Sequence, residues 1–170
     1  MSFCTGCRVG NSYKEFYQKW KASGEEMIPW VIAKDPTDFS QMVDSLHEQA
    51  RGENLPDGWV PDSTYWLVDK RKKVIGVANI RHALTEKLLY EGGHIGYGIR
   101  PSERRKGFAV KLLALSLEKA KELGIDRALV VCDDTNVGSK KTILRNGGIR
   151  DDDHIEEDGN VVNRFWIDLI

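Results

Sequence analysis

No stretch of this 170-residue chain approaches the roughly 20 consecutive apolar residues of a membrane span, and its first residues lack the apolar centre of a secretory signal. A cytoplasmic protein without a membrane partner is therefore expected. Net charge is also scarce. The 25 Lys and Arg oppose 26 Asp and Glu, so no global basic field points to nucleic acid. Cysteine is rare: Cys4, Cys7 and Cys132 make an odd count, which in a reducing compartment argues against a disulfide framework. Cys4-x-x-Cys7 lacks the second Cys or His pair that a zinc site needs, so no metal is expected and the pair reads as incidental. Internal repeats, low-complexity tracts and linkers are absent, as is the Gly-x-x-x-x-Gly-Lys-Ser/Thr loop of P-loop nucleotide enzymes. With 41% hydrophobic and 30% charged residues, what remains is one globular domain over 1–170, in which residues 1–11 carry no periodicity.

From Ser12 the pattern becomes regular. Ser12 and Glu15 form a capping-box pair ahead of an aromatic stripe, Tyr13, Phe16, Tyr17 and Trp20, and Ser23-Gly24 ends that helix. Asp35-Pro36 predicts the start of a second helix, with Phe39, Val43, Leu46 and Ala50 along one face. The turn-rich stretch from Gly52 to Ser63 carries Trp59, which either walls a binding site or pins the loop to the core. Thr64 to Val68 and Val74 to Ile80 read as a hairpin, Leu84 to Tyr90 as a short helix or a loop, and His94 to Arg100 as a central strand. A helix follows from about Gly107 to Leu123, then a buried strand from Ala128 to Cys132, a short helix ending at Asn146, and a final hairpin from Gly148 to Leu169.

The chemistry concentrates between the central strand and the long helix. There Arg100, Arg104, Arg105 and Lys106 precede Gly107, whose backbone can approach a ligand closely just before a helix begins. A helix start leaves N–H groups without partners and carries partial positive charge, so loop and helix together suit a phosphate or pyrophosphate. A solvated basic turn is the plain alternative for any such stretch taken alone.

Arg104-x-x-Gly107-x-Ala109, set after Ile95-Gly-Tyr-Gly-Ile99 and before an amphipathic helix, resembles the pyrophosphate loop of the GNAT superfamily of N-acetyltransferases. Asn136-x-x-Ser139, with Gly147 eleven residues after the Asn, resembles that family's second CoA-contacting motif. The order of elements matches from residue 12 onward. The resemblance implies a GNAT-like α/β (α+β) fold: a mixed, mostly antiparallel central sheet with a splayed parallel strand pair and flanking helices. It also implies acetyl-CoA as co-substrate, a direct ternary-complex transfer of acetyl to a primary amine, and a fold that admits a homodimer. Main-chain groups near Ile99 would then pair with pantetheine, and the N–H groups from Arg104 through Phe108 to Ala109 would surround the pyrophosphate. The side chains of Arg104, Arg105 and Lys106 would add charge, Arg100 would belong to the same cofactor-binding set, Asn136 would bond the pantetheine arm and Ser139 would face it. Asn136 also reads simply as a helix N-cap.

Transfer to an amine requires loss of the ammonium proton and stabilisation of the departing thiolate. Glu91 and His94, at the entry to the central strand, are the candidate bases, and each also reads as a strand-end hydrogen-bonding residue. Many family members place a Tyr seven residues after the motif Asn to protonate the thiolate. Ile143 stands there in this chain, which leaves Tyr97, Ser139 or solvent as substitutes. A non-catalytic acyl-CoA-binding module of the same fold is the competing reading, and the sequence does not name the acceptor.

Overall fold

The computed structural model describes residues 1–5 and 9–170. Its elements run β1 (Ser2–Cys4), α1 (Gly10–Ser23), α2 (Phe39–Ala50), β2 (Asp62–Val68), β3 (Val74–Arg81), β4 (Ile95–Ile99), α3 (Phe108–Glu122), β5 (Arg127–Asp133), α4 (Val137–Arg145), β6 (Ile149–Arg150), β7 (His154–Ile155) and β8 (Val161–Asp168). Two antiparallel sheets result. One has the order β1-β2-β3-β4; the other has β8 paired with β5, β6 and β7. Among the described residues, no helix is long and apolar enough to cross a membrane.

The hairpin β2-β3 is almost wholly buried because helices cover both of its faces. The α1 stripe, Tyr13, Phe16 and Trp20, packs with Trp66 and Val77 on one side. Leu112 of α3 meets Leu67, Ile75 and Ile99 on the other. Fully burying such large apolar side chains contributes about 1.5–3 kcal/mol each, so this aromatic wedge holds α1 rigidly against the sheet.

Four local expectations need correction. Residues 1–11 are not wholly irregular, since Ser2–Cys4 pairs with β2 as a short edge strand. Cys4 is disulfide-bonded and so is not incidental; Cys7 lies outside the described residues. Ser12 does not cap α1, which starts two residues earlier; its Oγ accepts the Val74 N–H at 2.9 Å and ties the helix to β3. The second helix starts at Phe39 because Asp38 caps it, accepting from the Gln41 N–H at 3.0 Å, while Asp35 closes a turn onto Thr37. A tertiary anchor in the first case and a better-placed carboxylate in the second override the nearer local signal.

The final hairpin is also broken more than its pattern suggests. The segment 148–155 contributes two short strands, β6 and β7, both paired with β8. Trp59 packs edge-on against Trp30 with ring centroids 4.8 Å apart, yet it stays 45% exposed, so it pins its loop while leaving one face to solvent.

Candidate active site

Among the described residues, the two sheets are hydrogen-bonded to each other at one joint. The His94 N–H donates to the Leu129 carbonyl at 2.7 Å, and the Leu129 N–H donates to His94 Nδ1 at 2.9 Å. Past this joint no ladder links β4 to β5 among the described residues. Tyr97, three residues beyond it, meets Ser139 in the helix that follows β5, so the strands leave the joint in the same direction with a gap opening between them.

Ladder alternation decides what faces that gap. Arg81 N–H donates to the His94 carbonyl and Arg100 N–H to the Ile75 carbonyl, both at 2.8 Å, so even-numbered residues of β4 turn their backbone groups toward β3. Ile95, Tyr97 and Ile99 therefore turn theirs to the gap. On β5, Leu129 faces His94 and the Asp134 N–H donates to the Val161 carbonyl, so Val131 and Asp133 face the gap from the other side. The result is a slot lined on both edges by main-chain donors and acceptors, into which an extended amide-bearing chain fits as an added strand.

Glycine keeps the slot narrow at its closed end. Gly93 has φ +62°, and a Cβ there would lie 2.6 Å from the Leu129 carbonyl oxygen. On β4, a Cβ on Gly98 would overlap the Ile28 carbonyl oxygen and lie 2.6 Å from the Trp20 ring, and one on Gly96 would lie 3.1 Å from Pro29. The connection between α1 and α2 is thus laid directly over this face of β4. The opposite face, carrying Ile95 and Tyr97, is filled by Leu113, Leu117 and Ile143 of α3 and α4.

At the open end the chain turns through Pro101–Glu103 into α3. Arg105 and Gly107 both have positive φ, +64° and +81°, and α3 has no side-chain cap. Among the described residues no acceptor meets the N–H groups from Arg105 through Val110. Six adjacent donors at the positive end of a 15-residue helix form an anion cradle. Arg105 is exposed and unpaired among the described residues, and Lys106 bonds Glu103 at 2.9 Å. Lys73 and Lys106 hold the Glu103 carboxyl down at about 2, which keeps this support charged.

Two of the expected cations are committed elsewhere. Arg100 is fully buried, donating to the Ser12 carbonyl at 3.1 Å and lying 3.6 Å from Glu15. Arg104 donates to the Ile99 carbonyl at 3.1 Å and grips Glu25 with both terminal nitrogens, at 3.0 and 2.6 Å. Of the remaining basic side chains, Arg105 is exposed and Lys106 turns its ammonium to Glu103 and to the Ser102 carbonyl, 3.1 Å away. Asn136 accepts from the Ser139 N–H at 3.0 Å as the cap of α4. Ile143 is buried in the core.

The acid–base candidates separate by their surroundings. His94 is 7% exposed, and burial with the nearby Arg81 charge pushes its pKa down to about 4. It is neutral at pH 7, with Nδ1 occupied by Leu129, and acts as a clasp between the sheets rather than as an available base. A solvated histidine binds a proton near pH 6.5. Between that value and about 4 the unfolded chain binds more protons, so stability rises with pH across this window. It is fully present above about 6.5 and lost as the pH falls through about 4. His94→Gln is expected to flatten that slope, read by urea unfolding across the window; an unchanged slope would place its origin elsewhere.

Glu91 is half-buried just before the joint, and its carboxylate lies 3.7 Å from His154 Nε2, with the His154 ring against Tyr90. Sequence reasoning missed His154, since nothing local marks a histidine 63 residues after Glu91 as its neighbour. The Tyr97 hydroxyl bonds Ser139 Oγ at 2.7 Å, and burial pushes its pKa up to about 12. No metal-binding cluster occurs among the described residues.

A family model described as acetyltransferase (GNAT) domain matches residues 11–149. Solved structures share the fold at low identity. A SpeG spermidine N-acetyltransferase chimera from Vibrio cholerae and hSSAT is 14% identical, with a TM-score of 0.68 over 99% of this chain and 97% of that one. A ribosomal-protein-S5-alanine acetyltransferase from Vibrio fischeri is 14% identical, with a TM-score of 0.71 over 98% and 91%. The microcin C7 self-immunity acetyltransferase MccE, solved with acetyl-CoA and AMP, is 15% identical, with a TM-score of 0.66 over 95% and 87%. No curated protein sequence matches.

Proposed function

The chain belongs to the GNAT acetyltransferase family, and on that premise we propose that it transfers the acetyl group of acetyl-CoA directly to a primary amine in a ternary complex. The observation that carries this reading is the slot: unpaired edges of β4 and β5 diverge from one joint toward a helix N-terminus with six unclaimed N–H groups.

Acetyl-CoA supplies an activated thioester. The backbone of Ile95, Tyr97 and Val131 pairs with the amides of the pantetheine arm, with Ile99 contributing its N–H because Arg104 already bonds its carbonyl. The N–H groups from Arg105 to Val110 hold the pyrophosphate, with Arg105 and Lys106 adding charge. A β4 N–H near the joint polarises the acetyl carbonyl.

Glu91, whose carboxylate lies 3.7 Å from His154 and 3.8 Å from the Lys87 ammonium, takes the proton that the acceptor ammonium must lose before attack. The neutral amine nitrogen then bonds the acetyl carbon, loses its second proton to solvent as the tetrahedral adduct collapses, and the carbon–sulfur bond breaks. Tyr97 stays protonated throughout, since a phenol at about 12 is a weaker acid than a thiol near 8.5. It therefore stabilises the departing thiolate as a hydrogen-bond donor, with Ser139 holding its hydroxyl, and the thiol proton comes from solvent. Cys132 is not assigned a covalent step, because burial raises its thiol to about 11.

Release of free thiol from acetyl-CoA, measured with spermidine, an alanine-ended peptide and small amines, tests the reading. Amine-dependent thiol release with acetylated product supports it. Binding of acetyl-CoA without turnover of any amine favours the non-catalytic module, to which the buried Ile143 lends some weight.

A further inference from the structure

Arg104 stands at the start of the pyrophosphate loop, yet its guanidinium faces α1. One nitrogen bonds the last carbonyl of β4, the other two grip the Glu25 carboxylate, and the plane lies 5.2 Å from the Trp20 ring centroid. Trp20 in turn donates to the Glu26 carbonyl at 3.1 Å and touches Gly98. From Glu25 the chain runs across β4, with the Ile28 carbonyl against Gly98 and Pro29 against Gly96. Residues 25–29 therefore form a strap over the slot, fixed to the loop at one end and to the strand along its length. The other face of β4 is filled by α3 and α4, so an amine attacking an acyl carbon held at the β4 edge has to come in along the strap.

We propose that Arg104 is a positioning residue that joins the pyrophosphate loop to the strap at 25–29, so that acetyl-CoA in the loop sets the wall along which the acceptor amine approaches. This rests on the acetyl-CoA reading of the loop. An exposed ion pair alone contributes little, but this one is bidentate, stacked on a tryptophan and continued into the strand by a backbone bond. Movement of the loop on binding therefore pulls on Glu25 directly. Seating the donor therefore tightens a wall that the strap already forms against β4.

Amide hydrogen exchange of the full chain with and without acetyl-CoA tests this without needing the acceptor. In the wild type, acetyl-CoA slows exchange at 105–110 and, at least about fivefold, at 25–28, the lower end of ordinary site-to-site coupling. In Glu25→Ala the slowing at 105–110 persists and that at 25–28 disappears. Glu25 is exposed, so the variant keeps its fold, and a purely structural role would not make the effect ligand-dependent. Equal slowing of 25–28 in the variant, or slowing of 105–110 alone in the wild type, overturns the coupling. Absence of slowing at 105–110 overturns the acetyl-CoA reading itself, and the coupling with it.

Discussion

Gly93→Ala is expected to destabilise the protein by roughly 3 kcal/mol and to abolish acetyl transfer. Two costs add. A side chain at φ +62°, ψ −173° would occupy a region essentially reserved for glycine, at a cost of about 1–3 kcal/mol, and its Cβ would press to 2.6 Å on the Leu129 carbonyl, a backbone atom that cannot rotate away. That carbonyl is the acceptor for His94, so relief of the overlap separates β4 from β5 at the point where, among the described residues, they are hydrogen-bonded. For a chain of this size the unfolding midpoint falls by roughly 10 °C. Gly159→Ala separates strain from overlap, since its φ is +87° with nothing within 4 Å of the new Cβ. It is expected to show only about 1 kcal/mol of destabilisation and normal turnover. Calorimetry with a thiol-release assay on both variants checks this, and equal behaviour of the two would show that the joint has no special role.

The second large effect is expected at Tyr97. Tyr97→Phe removes the hydroxyl that meets Ser139 at 2.7 Å but keeps the ring in the core cluster formed with Ile95 and Ile143. A hydrogen bond to a charged group contributes about 1.5–3 kcal/mol, so kcat should fall roughly 10- to 100-fold while KM for acetyl-CoA stays within about twofold. Ser139→Ala should give a smaller loss, because it frees the Tyr97 hydroxyl without deleting it. Loss of affinity for acetyl-CoA at unchanged kcat would instead make Tyr97 a binding residue.

The sequence carried the order of elements because most are locally encoded: the β-rich runs of β2 and β3, the amphipathic α3, and the Asn136 cap of α4. The loop before α3 was legible for the same reason, as its glycine and its helix start lie within a few residues. Side-chain destinations were less legible. Nothing near Arg104 tells that its charge is consumed by Glu25, 79 positions earlier, or near His94 that Leu129 occupies its ring nitrogen. Both partners are set by how α1 and β5 dock on β4. Ser12 failed as a cap for a related reason, since a β3 N–H competes for the same hydroxyl.

The central claim is that the slot and the anion cradle at α3 hold acetyl-CoA. Titration calorimetry of the wild-type chain with acetyl-CoA, CoA, ATP and NADH tests it most directly. One-site binding of both CoA species, stronger than that of either nucleotide and weakened by Gly107→Val, is the predicted result. Failure of acetyl-CoA to bind the folded protein, or equal binding by the Gly107→Val variant, would contradict it.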